Sequence, residues 1–141
     1  MSRIALISLA LAGLLPLTAQ ALDRQPSVDG AKVYFIGLED GATVKSPVLL
    51  RFGLSGMGVA PAGINLPKTG HHHLLLDAEL PEDLSQPLPA TEHYRHFGGG
   101  QTEVLLELAP GEHSLQLMLG DYLHVAHEPP VVSEVIRITV E

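Results

Sequence analysis

Seven of the eight histidines in this 141-residue chain fall in three short clusters, and the chain has no cysteine. The clusters are His71-His72-His73, His93 with His96, and His124 with His127. Neutral imidazole is the commonest metal ligand among protein side chains, and it suits zinc, copper and nickel. Because clustered histidines can converge on one point more readily than scattered ones, the sequence predicts a metal site.

The spacing within the first cluster predicts which rings share a face. In an extended segment alternate side chains point the same way, so His71 and His73 project together and His72 projects to the opposite side. A His-x-His pair on one strand can offer two nitrogens to an ion at ~2.0–2.1 Å. A distant strand or loop would supply the remaining ligands. The predicted metal ligands are His71, His73 and His96, completed by one or both of His124 and His127.

Two other histidines are assigned ordinary roles: His72 shares its predicted face with leucines and is expected to be a hydrogen-bonded, inward-facing residue, and His113 begins a strand. His93 is a weaker candidate ligand, because a solvated loop residue explains it equally well. Asp121 is expected to orient a metal-binding ring by accepting its free N–H. The alternative for the five predicted ligands is that they are polar loop residues with ordinary hydrogen bonds, since no zinc-finger or HExxH spacing is present.

The ligand types favour copper(II) or zinc. A blue-copper centre requires a cysteine thiolate, which the chain lacks. Copper(I) carriers commonly use several methionines, and only Met57 and Met118 follow the amino-terminal segment. Protonation of the rings near their ordinary pKa of about 6.5 is expected to release the ion. We expect a non-catalytic role, with a metal-dependent hydrolase as the enzymatic alternative.

The sequence of the amino-terminal segment predicts that the protein is exported from the cytoplasm. A short basic start precedes an apolar stretch over residues 4–15, and Ala19-Gln20-Ala21 matches the small-x-small pattern that signal peptidase cleaves. The expected signal peptide is therefore 1–21, cleaved after Ala21, and it directs the chain to the periplasm. The apolar stretch is short for a membrane span, so no membrane insertion is expected after cleavage.

The charge limits the possible partners. Sixteen acidic residues against eight lysines and arginines give a formal net charge of −8. Such a surface repels nucleic acid and anionic lipid and favours cations. The competing functional class is a cell-envelope interaction module that binds a protein or glycan through two long loops, with the histidines as loop anchors. The absence of tryptophan weighs against glycan stacking.

Short apolar segments separated by glycine, proline and acidic turns predict an all-β fold, a single immunoglobulin-like antiparallel β-sandwich with long irregular loops. A flexible leader over 22–30 is expected before a domain at 31–141. The predicted strands are 32–38, 47–54, 71–77, 102–108, 112–119 and 131–140, and the long loops are 56–70 and 81–100. Residues 109–111 are expected to form a hairpin turn, residues 40–48 resemble the first hairpin of bacterial immunoglobulin-like domains, and a bound metal is expected to order the long loops.

Four stretches resemble the family of small exported bacterial proteins known as domain of unknown function 4399. They cover residues 56–63, 69–75, 96–103 and 119–133, which together span most of the chain after the predicted signal peptide. The resemblance implies an exported β domain without a settled activity. His93 falls outside these motifs.

Overall fold

The computed structural model of the protein describes residues 23–141, so the predicted signal peptide 1–21 and Leu22 lie outside the described residues. All regular elements of the described part are strands. They are β1 Lys32–Phe35, β2 Thr43–Val44, β3 Val48–Ser55, β4 Gly58–Val59, β5 Thr69–Leu76, β6 Tyr94–His96, β7 Glu103–Leu106, β8 Gly111–Gly120 and β9 Ile136–Val140. Within residues 23–141 there is no helix with the length and apolar character needed to cross a membrane.

The strands form two sheets. One has the order β1-β3-β7, and the other has the order β2-β9-β8-β5-β4, with β6 also pairing with β5. Alternating residues of β3, including Leu50 and Phe52, meet Leu74 of β5 and Leu117 of β8 in one buried core between the sheets. This arrangement confirms the predicted all-β sandwich, although the short pairs β2–β9 and β4–β5 are parallel.

Two predicted hairpins are wrong. Strand β7 pairs with β3, whereas β8 pairs with β5 and β9, so residues 107–110 cross from one sheet to the other and the predicted hairpin turn at 109–111 does not form. Strand β2 likewise pairs with β9 and not with the following β3. In the first case Leu106 of β7 and Leu115 of β8 are both buried in the shared core from opposite layers, which a flat hairpin would not allow.

The long loops are ordered by protein contacts. Ala62 N donates to Gly98 O at 2.8 Å, and Gly63 N donates to Tyr122 O at 3.0 Å. On the outer face of the larger sheet, Leu88 of the second loop joins Leu75 and Met118 in a separate buried cluster. These contacts within the protein account for the conformation of both loops, so a bound metal is not needed to explain it.

Backbone hydrogen bonds attach the middle of the predicted flexible leader, residues 22–30, to the rest of the protein. Ser27 N donates to Glu128 O at 3.0 Å, and Glu128 N donates to Gln25 O at 2.9 Å. The Arg24 side chain also forms an ion pair with Glu128 and donates to the carbonyl oxygen of Ala126. These contacts attach residues 24–28 to the segment that follows the third histidine cluster.

Candidate metal centre

The first two histidines of the site are set by the alternation of β5. His71 and His73 lie on the outer face of the larger sheet, while His72 faces the core between the sheets, as predicted from the sequence. All three are buried, with at most 1% of each residue exposed. The rings of His71 and His73 are 4.6 Å apart between centroids, so they form the floor of the site.

The neighbouring strands bring in the other two histidines. His96 of β6 lies directly opposite His73 in the antiparallel pairing, which places both on one face. His124 follows the end of β8, the strand that pairs with β5 on its other edge, and the last residue of β8, Gly120, lies opposite His71. His96 is exposed and His124 is partly buried, so these two histidines form the rim of the site.

The four rings are close enough to share an ion. One ring nitrogen from each of His71, His73, His96 and His124 lies within 4.8 Å of the others. Around an ion at ~2.0–2.1 Å, tetrahedral nitrogens lie ~3.3 Å apart, so the longest of these separations must shorten by small side-chain rotations. His71 Nε2 and His124 Nδ1 are already 3.1 Å apart, and without an ion one of these rings donates its N–H to the other. The group could hold a metal ion.

The backbone of the His124 loop is held by Asp121. The Oδ1 atom of Asp121 accepts hydrogen bonds from Leu123 N at 2.8 Å and Val125 N at 3.0 Å. His124 itself has a φ of 68°, a left-handed conformation that histidine adopts more readily than most residues. The prediction that Asp121 orients a ring is therefore wrong, because its hydrogen bonds go to the backbone and shape the turn that presents His124.

The structure does not bring His127 into this group. His127 is 1% exposed, and its Nε2 and Nδ1 atoms face the carbonyl oxygens of Thr69 at 3.1 Å and Leu119 at 3.3 Å. Both ring nitrogens are therefore directed at backbone acceptors, and coordination would require one of these contacts to break. Of the two histidines predicted to complete the site, the structure brings His124 into the group, and His127 links β5 to β8.

The remaining histidines also lie outside the group. His93 Nδ1 lies 2.9 Å from Leu76 O, on the edge of the sheet. His113 Nδ1 lies 2.8 Å from Asp77 Oδ2, and its Nε2 lies 2.9 Å from Ala109 O. Despite partial burial, these contacts raise the pKa of His113 above its ordinary value. His113 therefore forms a local hydrogen-bonding pair with Asp77, away from the metal site.

Two glycines make room for the rings, and sequence reasoning missed their role. A Cβ atom on Gly98 would lie 2.3 Å from His96 Cε1, and one on Gly120 would lie 2.4 Å from His73 Cε1. Glycine within a strand often marks the close approach of another group. Two features of the sequence could have indicated this role. Gly98 lies two residues after His96, and Gly120 lies in the segment that leads to His124.

We expect Gly120→Ala to weaken metal binding, because the new methyl group displaces the His73 ring or shifts the strand. Overpacking of this kind commonly costs about 1–3 kcal/mol, which corresponds to roughly tenfold or more in metal affinity if the strain falls on the bound state. Competition with a chromophoric chelator measures the change. Gly58→Ala is the matched control, since its Cβ would meet only Thr69 Cγ2 at an ordinary 3.4 Å. Equal metal affinity in both variants would contradict this role for Gly120.

His72 is inward-facing, as predicted, but it is not hydrogen-bonded. Both of its ring nitrogens are buried without a partner among the described residues. Its ring packs 5.3 Å from that of Phe52 in the core. A buried polar group without a partner costs about 1–3 kcal/mol, so this residue lowers the stability of the fold.

We therefore expect His72→Leu to raise the free energy of unfolding at neutral pH by about 1–3 kcal/mol, because it replaces two unpartnered nitrogens with apolar atoms. Urea unfolding of the metal-free protein measures the change. A destabilised His72→Leu variant would show that the ring makes polar contacts beyond those of the described residues.

Burial favours the neutral form of three rings of the site, those of His71, His73 and His96. Desolvation, reinforced by the neighbouring His124 and His96 rings, lowers the pKa of His71 from 6.5 to about 4. Desolvation together with the His71 ring lowers the pKa of His73 to about 2. The pKa of His96 is lowered mainly by desolvation and also by His124. Protons therefore compete for the nitrogens of His71 and His73 only well below pH 6.5.

One nitrogen in each floor ring is buried without a hydrogen bond. Nδ1 of His71 and Nδ1 of His73 have no partner among the described residues. A metal-bound histidine usually donates the N–H of its second ring nitrogen to a carboxylate or carbonyl group. No such hydrogen bond is made by Nδ1 of His71 or Nδ1 of His73 among the described residues.

Comparison with known proteins places the chain in a family. A family model described as domain of unknown function (DUF4399) matches residues 50–141, which extend from β3 to the end of the chain and contain all four histidines of the site. Neither the curated proteins nor the solved structures contained a match. Since the match covers well over half of the chain, the protein belongs to the DUF4399 family.

Proposed function

We propose that this protein binds one divalent ion, copper(II) or zinc, through His71, His73, His96 and His124. The observation that carries the proposal is the convergence of one nitrogen from each ring within 4.8 Å. The low pKa values of the floor histidines support it, because their lone pairs are available at neutral pH without loss of a proton. The proposed role is carriage or buffering of the metal, or support of the fold by the metal.

The proposed setting is the bacterial periplasm, which the segment 1–21 suggests by its resemblance to a cleaved signal peptide. The proposed role is binding and not turnover. Among the described residues no carboxylate belongs to the histidine group, and the nearby Asp121 uses Oδ1 to hold backbone N–H groups. A metal-dependent hydrolase commonly needs such a group to act as a general base.

The experiment is elemental analysis of mature protein purified from the periplasm without an affinity tag, followed by thermal melts with and without a chelator. The proposal expects near-stoichiometric copper or zinc and a melting temperature that falls on chelation, since a ligand that binds only the folded state stabilises it. Metal-free protein that neither binds added copper or zinc nor melts differently in their presence would contradict the proposal.

A second candidate function is supported by the apolar surface of the 56–70 loop. Ile64 and Leu66 are more than half exposed on this loop, and Leu123 beside His124 is 39% exposed. Exposed apolar side chains that cluster commonly mark a binding surface for another protein. Under this alternative, an envelope protein binds the loop and chelator has no effect on the interaction. Ile64→Ser together with Leu66→Ser would abolish such binding while leaving metal uptake intact.

A further inference from the structure

The positions of the four histidine rings in space distinguish between the two candidate metals. The torsion about the Cβ–Cγ bond of histidine is soft, and turning it moves the ring nitrogens while scarcely moving the ring centroid. The centroids therefore record the directions from which the ligands approach an ion. Five of the six distances between centroids lie between 4.5 and 5.2 Å, and the sixth, between His73 and His124, is 5.9 Å.

Tetrahedral and square coordination predict different sets of distances between the centroids. With metal–nitrogen bonds of ~2.0–2.1 Å and each centroid about 1.1 Å beyond its nitrogen, tetrahedral coordination places all six pairs of centroids ~5.1 Å apart. Square coordination with the same bonds gives four distances of ~4.5 Å and two diagonals of ~6.3 Å. Zinc takes the tetrahedral arrangement, whereas copper(II) favours the square or tetragonal one.

The observed distances are closer to those of a tetrahedron. In a square the two diagonals share no ring, so a diagonal between His73 and His124 requires a second one between His71 and His96. The His71 and His96 centroids are 5.0 Å apart, which is about 1.3 Å less than the diagonal of a square site. The four rings therefore form a slightly flattened tetrahedron.

The packing around the rings resists further flattening. His71 and His73 are buried, and the backbone of Gly120 lies against the His73 ring. The backbone of Gly98 lies against the His96 ring in the same way. Close-packed side chains have little room to shift by an ångström or more unless the strands also move. The protein frame therefore favours an ion that accepts tetrahedral ligands.

We propose that zinc is the metal for which this site is shaped, and that copper(II), where it binds, is held in a distorted tetrahedral geometry. This inference rests on the proposed metal binding and narrows it. Nitrogen ligands generally bind copper(II) more tightly than zinc, so the geometry of the bound ion is the property that distinguishes them here. Four protein ligands also close the coordination sphere of zinc, as in structural zinc sites, and leave no position for a substrate.

The test loads the mature protein separately with cobalt(II), a coloured substitute for zinc, and with copper(II). Tetrahedral cobalt(II) absorbs visible light strongly, whereas six-coordinate cobalt(II) absorbs weakly. The expected result is strong absorption that saturates at one cobalt per chain and disappears when zinc is added. For copper(II), the electron paramagnetic resonance spectrum should show a much smaller parallel hyperfine splitting than that of tetragonal copper with nitrogen ligands.

A variant with an opened site provides the comparison. His124→Gly removes one rim ligand, and glycine readily adopts the φ of 68° found at this position. Cobalt(II) in this variant should take up water in the vacant position, and added imidazole should restore the spectrum of the natural chain. Imidazole should leave the spectrum of the natural chain unchanged. His93→Gly is the matched control, because His93 lies outside the group and its loss should preserve the closed site.

The outcomes separate this proposal from the proposed metal binding. Protein that retains one ion per chain but gives the spectrum of six-coordinate cobalt(II) or of tetragonal copper(II) would overturn the tetrahedral site and leave metal binding standing. A natural chain that responds to imidazole as strongly as His124→Gly would overturn the closed coordination sphere. Protein that binds none of these ions overturns both proposals.

Discussion

Replacing His71 and His73 together with alanine is expected to abolish stoichiometric metal uptake. Both rings lie on the buried floor of the site, and both contribute a nitrogen to the group of four. Binding of a structural zinc ion by four ligands contributes about 10–16 kcal/mol, which is roughly 3 kcal/mol per ligand or on the order of a hundredfold in affinity. Loss of two ligands should therefore weaken binding by about four orders of magnitude. Calorimetric titration or chelator competition measures the effect.

The double variant also removes two buried side chains, so a single substitution at the rim is the safer second test. His96→Ala removes an exposed ligand with little loss of packing and should still weaken binding on the order of a hundredfold. His93→Ala is the matched control, because His93 lies immediately before β6 and outside the group. Similar metal affinities for the His96 and His93 variants would contradict coordination by His96.

The part of the site that the sequence predicts best is the part fixed by strand alternation. The spacing of His71, His72 and His73 assigns each ring to a face because side chains alternate along any strand. The structure has this arrangement, with His72 against Phe52 in the core and the other two rings on the outer face. No knowledge of distant residues is required for such an assignment.

The choice among distant ligands depends on information that is not local. His124 and His127 look equivalent in the sequence, but the left-handed turn at His124 and the backbone hydrogen bonds that Asp121 accepts direct the His124 ring to the site. His127 lies on a continuation of the chain where backbone carbonyl groups face both of its nitrogens. These differences arise from long-range packing between β5, β8 and the following loop.

The sequence also does not show which sheet each of two neighbouring strands joins. A short connection in which glycine follows proline, as at Pro110 and Gly111, is typical of a hairpin, yet β7 and β8 belong to different sheets. The apolar pattern of each strand predicts that one face is buried but not which layer supplies the opposite side. The short strand β6, which carries His96, is also not predicted from the sequence, because it lies in a stretch rich in proline and glycine and pairs with β5 over three residues.

The metal-free protein is expected to lose stability steeply as the pH falls from about 6.5 towards 4. His71 and His72 each have a folded-state pKa of about 4, and that of His73 is about 2, in every case chiefly because burial disfavours the charged ring. Between pH 6.5 and 4 the unfolded chain therefore binds more protons than the folded chain, so stability rises with pH and falls with acid. Each ring contributes about 3 kcal/mol to the loss by pH 4.

A loss of this size from three rings rivals the 5–15 kcal/mol stability typical of a small domain, so the chelated protein should unfold in mild acid. Urea unfolding at pH 7 and pH 4.5 measures the change. His72→Leu measures the contribution of the core ring apart from that of the metal site. It should remove about a third of the pH dependence of stability while leaving all four proposed ligands in place. His93→Leu is the matched control, because it alters an edge histidine and should leave the acid sensitivity near that of the natural chain. A metal-free protein equally stable at both pH values would show that the three rings are solvated or hydrogen-bonded in solution, and would contradict the buried, neutral floor on which the metal site depends.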